Sequence, residues 1–84
     1  MILNLTLVEA DTYYPLNIPA CSQWLLKARS AEAAVRFCES NDPDAAYVTY
    51  PAGFVRNWEG DQYPANTVYL RSPVAGTIIE LEYY

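Results

Sequence analysis

Residues 2–9 alternate well between apolar and polar, most clearly from Leu3 to Leu7. Leu3, Leu5 and Leu7 share one face and Asn4 and Thr6 the other, a period of two that predicts a half-buried strand. Residues 23–28 predict a second strand, with Trp24, Leu26 and Ala28 inward and Gln23, Leu25 and Lys27 outward; Leu25 is the discordant apolar position. Between them, residues 11–20 hold Pro15 and Pro19 without a period and read as a loop, although they carry the apolar cluster Tyr13-Tyr14-Pro15-Leu16. The period then changes. Ala31, Ala34, Val35 and Cys38 fall at i, i+3, i+4 and i+7, which predicts a helix over 31–40 facing a sheet, broadened by Phe37. Ser30 is placed to cap its first turn, Glu32 complements the dipole there, and Asn41 and Pro43 end it. Glu32 and Arg36 form an i, i+4 pair on its outer face.

Residues 46–50 predict a third strand, stopped by Pro51-Ala52-Gly53. Residues 54–58 fit a short strand or an ordered loop, Glu59-Gly60-Asp61 and Pro64 mark turns, and 54–66 stays unassigned. Residues 67–71 predict a strand, Pro73 and Gly76 a turn, and 77–84 a last strand with Ile79, Leu81 and Tyr83 inward. The expected fold is α+β: an antiparallel sheet of four to five strands in ββαβββ order, with one helix packed on one face. The uncovered face would display Tyr47, Thr49, Thr67, Tyr69, Arg71, Glu80 and Glu82. The chain of 84 residues is expected to be a single domain, 1–84.

Composition narrows the function more than the fold. The chain is 52% hydrophobic and 18% charged, which suits a packed core rather than a disordered tail. Ten acids against five bases leave a net charge of −5, which disfavours direct nucleic-acid binding through phosphates and favours encounter with a basic partner. Cys21 and Cys38 stand outside any CxxC motif, and the longest apolar run is too short to span a bilayer. Residues 2–8 lack the features of a secretion signal, so the expected setting is cytoplasmic, with free thiols and no membrane partner.

Candidate chemistry is sparse. The chain has no histidine, which removes the commonest general base and metal ligand. Asp42 and Asp44 are separated by Pro43 and lack the Gly and Glu of a calcium loop. Glu80 and Glu82 share a strand face, where paired carboxylates could do acid–base work but read as solvated charge. Cys38 falls on the apolar stripe as a core residue; Cys21 precedes a strand, open to exposure but with no base beside it. With three glycines and no phosphate-binding motif, the chain is expected to be non-enzymatic, with no catalytic residue, metal or cofactor.

Eight tyrosines and two tryptophans point to binding instead, because these side chains give large contact area and a hydroxyl or N–H at little entropic cost. Tyr13, Tyr14, Trp58 and Tyr63 sit among loop signals and read either as interface anchors or as caps on an open core edge. Lys27-Ala28-Arg29-Ser30-Ala31-Glu32-Ala33-Ala34-Val35-Arg36-Phe37, a strand end followed by a polar cap and an alanine-rich helix, completes a layout that resembles small phage-encoded anti-CRISPR proteins acting on type I surveillance complexes. The resemblance is one of size and element order over the whole chain. It implies a non-enzymatic inhibitor that occupies a basic, nucleic-acid- or nuclease-binding face of a host complex. The contacts expected for such a block are Asp11, Glu59, Asp61, Glu80 and Glu82, with Tyr13, Tyr14, Trp58 and Tyr63 as anchors. The alternative is a small oligomeric structural or adaptor module, a homodimer paired through outward Leu25 and Ile78.

Overall fold

A computed structural model describes residues 1–29, 34–40, 42 and 44–84, and for 59–62 the strand backbone without its side chains. Eight strands follow one another: β1 Ile2–Leu7, β2 Tyr14–Ile18, β3 Cys21–Ala28, β4 Val35–Cys38, β5 Tyr47–Tyr50, β6 Val55–Tyr63, β7 Asn66–Arg71 and β8 Thr77–Tyr83. They form two antiparallel four-stranded sheets. Sheet A has the order β1-β8-β3-β6 and sheet B the order β2-β7-β4-β5. One core lies between them, with Leu7, Trp24, Leu26, Ala28, Ile79 and Leu81 from sheet A facing Leu16, Ile18, Val35, Val68 and Leu70 from sheet B. Each buried aliphatic side chain stabilises the sandwich by about 1.5–3 kcal/mol.

This architecture corrects the expected α+β class. No described residue is helical, and the second half of the expected helix is β4. Val35 and Phe37 point inward beside Tyr50, Val48 and Leu70, and Phe37 packs against the core. Cys38 points to the other face, yet it is 2% exposed because the chain after it folds back over the thiol, whose Sγ donates to the Ala46 carbonyl at 3.3 Å. A strand covered on both sides places buried residues at 35 and 38, a spacing that imitates a helical stripe. Between β7 and β5, the β-branched Val35 and aromatic Phe37 satisfy two ladders, which outweighs the local helical preference of the neighbouring alanines. The expected cap at Ser30, the helix start at Ala31, Glu32 with its pair to Arg36, and the stop at Asn41 and Pro43 lie outside the described residues.

The loop expected over 11–20 is also corrected, because residues 14–18 are β2, with Leu16 and Ile18 buried. Pro15 is tolerated there because β2 is an edge strand with one ladder to satisfy. Likewise, Glu59-Gly60-Asp61 is not a turn but part of β6, where the pairing register shifts opposite the segment between Cys21 and Gln23. The strands expected at 2–9, 23–28, 46–50, 67–71 and 77–84 are present as β1, β3, β5, β7 and β8. The predicted inward positions Trp24, Leu26, Ala28, Ile79 and Leu81 are all buried. The turn at 72–76 is built on Ser72 and Thr77, both buried: the Thr77 hydroxyl donates to the Val74 carbonyl (2.7 Å), and its oxygen lies at hydrogen-bond distance, 3.2 Å, from Ser72 Oγ. Gly76 supplies the left-handed φ of 79° that this turn needs.

Candidate functional site

Two outer faces are left by the sandwich, and residues expected on one face divide between them. On sheet B, Tyr69, Cys38 and Tyr47 form one row across β7, β4 and β5, and Arg71, Arg36 and Thr49 form the next. Arg36 and Arg71 are therefore directly opposite, an unfavourable placement for like charges. Their guanidinium groups turn apart. Arg36 lies over the Tyr47 ring, 3.9 Å from its centroid, and Arg71 lies 5.2 Å from the Tyr13 centroid and 3.6 Å from the Asp11 carboxylate. Asp11 is held in the left-handed region at φ 55°, its backbone N–H donating to the Ser72 carbonyl at 2.8 Å. Ring faces and one carboxylate thus hold both cations on this face.

Sheet A carries the more open surface. Its outer rows run Ile2–Glu82–Leu25–Asn57 and Asn4–Glu80–Lys27–Val55 across β1, β8, β3 and β6. Ile2, Leu25 and Val55 line a shallow depression of about 460 Å³ together with Lys27, Glu80 and Glu82. Ile2 is 70% exposed and Val55 62%, so neither is explained by the core. Glu80 is bracketed by cations, 3.5 Å from Lys27 Nζ and 3.2 Å from Arg29 Nε. Glu82 accepts a hydrogen bond from Tyr84, and this bond, with smaller contributions from desolvation and the Glu82 charge, raises the Tyr84 phenol above its usual range. Within the depression, Ile2 and Val55 stand on the two edge strands of sheet A, and Leu25, Lys27, Glu80 and Glu82 lie on the central strands between them, so apolar side chains and charges of both signs are interleaved across it.

The other sequence-selected residues fall in three places. Tyr14 points inward from β2, packs on the core and accepts from the Glu9 N–H at 3.0 Å. Trp58 stacks on Trp24 across β6 and β3, with centroids 3.6 Å apart and planes 6° from parallel. Its ring also meets Phe37 at 5.8 Å, and Tyr50 stacks on Phe54 at 4.8 Å, so a row of rings fills this side of the sandwich. Tyr63 lies opposite Cys21 at the end of β6 and packs on the core. Asp11 and Tyr13 meet at Arg71 on sheet B, while Glu80 and Glu82 share the sheet A depression. The side chains of Glu59 and Asp61 lie outside the described residues. Cys21 and Cys38 are both buried free thiols, Cys21 at 7% exposure where the sequence left it open to solvent.

Sequence reasoning missed Ile2 and Val55 as surface residues. Val55 belonged to the unassigned stretch, and Ile2 was masked by the neighbouring leucines. Leu25, discordant on the outer face of its strand, was the one signal that pointed to this depression. No protein-family model matches the chain, and no curated protein or solved structure matches it significantly. Among the described residues no helix is long and apolar enough to cross a membrane.

Proposed function

We propose that this chain is a non-enzymatic protein-binding module whose docking face is the outer face of sheet A. The observation that carries the reading is the depression itself, where Ile2, Leu25 and Val55 stand apolar on a sheet face with no described element above it. A partner segment with apolar side chains and charges of both signs would bury Ile2, Leu25 and Val55 and meet Lys27, Glu80 and Glu82 between them. Val55→Glu and Leu25→Asp change this face without touching the core. Both should abolish capture of a partner from a bacterial lysate, while Tyr69→Ala on the opposite outer face retains it. Loss with Tyr69→Ala alone would place the docking face on sheet B.

A finer reading within the same class is a phage-encoded anti-CRISPR protein that blocks a basic face of a type I surveillance complex. The second half of the helix in the layout that suggested it is β4, so the net charge of −5 and the acids Asp11, Glu80 and Glu82 are what support it. Electrostatic block predicts an affinity that falls as salt rises. Binding unchanged between low and high salt would leave the apolar docking mode standing and remove this one.

A further inference from the structure

We propose that two copies of this chain pair through β1, joining their A sheets into one continuous eight-stranded sheet. The four edge strands differ in how they are guarded against such pairing. β2 contains Pro15, β5 has four residues, and β6 carries Arg56 and a register shift. β1, Ile2-Leu3-Asn4-Leu5-Thr6-Leu7, has no charge, no proline and a regular register along its whole length.

The backbone fixes which groups are open. Met1 and Tyr83 exchange two hydrogen bonds, N–H to carbonyl in each direction, both at 2.9 Å. In an antiparallel ladder bonded and non-bonded pairs alternate, so Leu3, Leu5 and Leu7 aim their backbone groups at β8. Ile2, Asn4 and Thr6 therefore aim theirs at the open edge. An antiparallel pair of β1 strands centred on Asn4 sets Asn4 against Asn4 of the second copy and Ile2 against its Thr6. All three open residues are then satisfied by about six backbone hydrogen bonds.

The same register resolves a second feature. Leu3 and Leu5 point inward, yet Leu3 is 38% exposed and Leu5 only half-buried, because sheet B leaves the β1 end of the core uncovered. Centring on Asn4 sets Leu3 directly against Leu5 of the second copy, twice by symmetry, and covers both. A second copy is the occupant this edge fits, because an uncharged strand meets its own image without like-charge repulsion although each chain carries −5. The interface is small, so association should be in the micromolar range or weaker.

Sedimentation equilibrium from about 1 μM to 1 mM tests it, and a concentration-dependent monomer–dimer equilibrium is expected. Asn4→Pro removes the N–H at the centre of the pair without touching the β1–β8 ladder, and Asn4→Lys sets two ammonium groups face to face. Each should weaken dimerisation at least about tenfold while far-ultraviolet circular dichroism stays unchanged. If Asn4→Pro disturbs the fold, Asn4→Lys decides alone. Asn4→Cys should give a disulfide-linked dimer under mild oxidation, since directly opposed Cα atoms lie about 5.5 Å apart, whereas Thr6→Cys should not. A monomer at every concentration, or a dimer indifferent to both substitutions at Asn4, overturns the proposal. Neither outcome bears on the Val55 and Leu25 test, because those residues lie on β6 and β3.

Discussion

At the scale of single residues, the aromatic side chains divide by whether another ring covers them. Trp58 sits in a strand that opens on solvent, but its ring lies flat on Trp24 and meets Phe37, so it closes one side of the core. Truncating it removes the half-buried ring and the stack together. Trp58→Ala should lower stability by about 2–4 kcal/mol in urea unfolding, with Trp58→Phe recovering part of the loss. A loss below about 0.5 kcal/mol would return this residue to the surface anchors. Tyr47 and Tyr13 take another role, each offering its ring face to an arginine. None of these contacts is local in sequence. Tyr14, Trp58 and Tyr63 read equally as anchors or caps until the facing strand is known, because the choice depends on which residue lies opposite.

At the scale of elements, β4 shows how tertiary context overrides a local pattern. Its residues read as helix because apolar positions recur three and four apart. They form a strand because β7 and β5 offer ladders on both sides and the returning chain covers Cys38. A proline in such a strand loses a bond that has no substitute. Arg36→Pro should cost about 3 kcal/mol or more and abolish a cooperative thermal transition, although Arg36 is a surface residue by its side chain. Pro15 is native in β2 for the converse reason, since an edge strand has one side free. A cooperative transition retained in Arg36→Pro would mean that β4 is dispensable to the fold. The five strands read from the sequence were legible by period two or β-rich composition; β4 and β6 were not, since cover on both sides or a register shift erases the alternation, and Pro15 and Pro19 hid β2.

At the scale of the whole molecule, the connections decide the architecture. Among the described strands, only β4 and β5 are consecutive in the chain and neighbours in a sheet. The other pairings join distant segments, β1 with β8 most of all. Loop closure must precede these contacts, so folding should be slow, on the order of milliseconds to seconds by stopped-flow tryptophan fluorescence. Microsecond folding would indicate that local structure, such as a transient helix in the alanine-rich stretch, leads the process. The residues by themselves determined five of the strands, their inward faces, an acidic charge and a scarcity of catalytic groups, because alternation and composition are local properties. Only the tertiary structure decided that these strands divide into two sheets, that Glu80 and Tyr69 lie on opposite outer faces, and that Ile2, Leu25 and Val55 line one depression. Hydrogen-bond partners and the cover of a face belong to the chain that lies across from a strand, and in a sandwich that chain is usually far away in sequence.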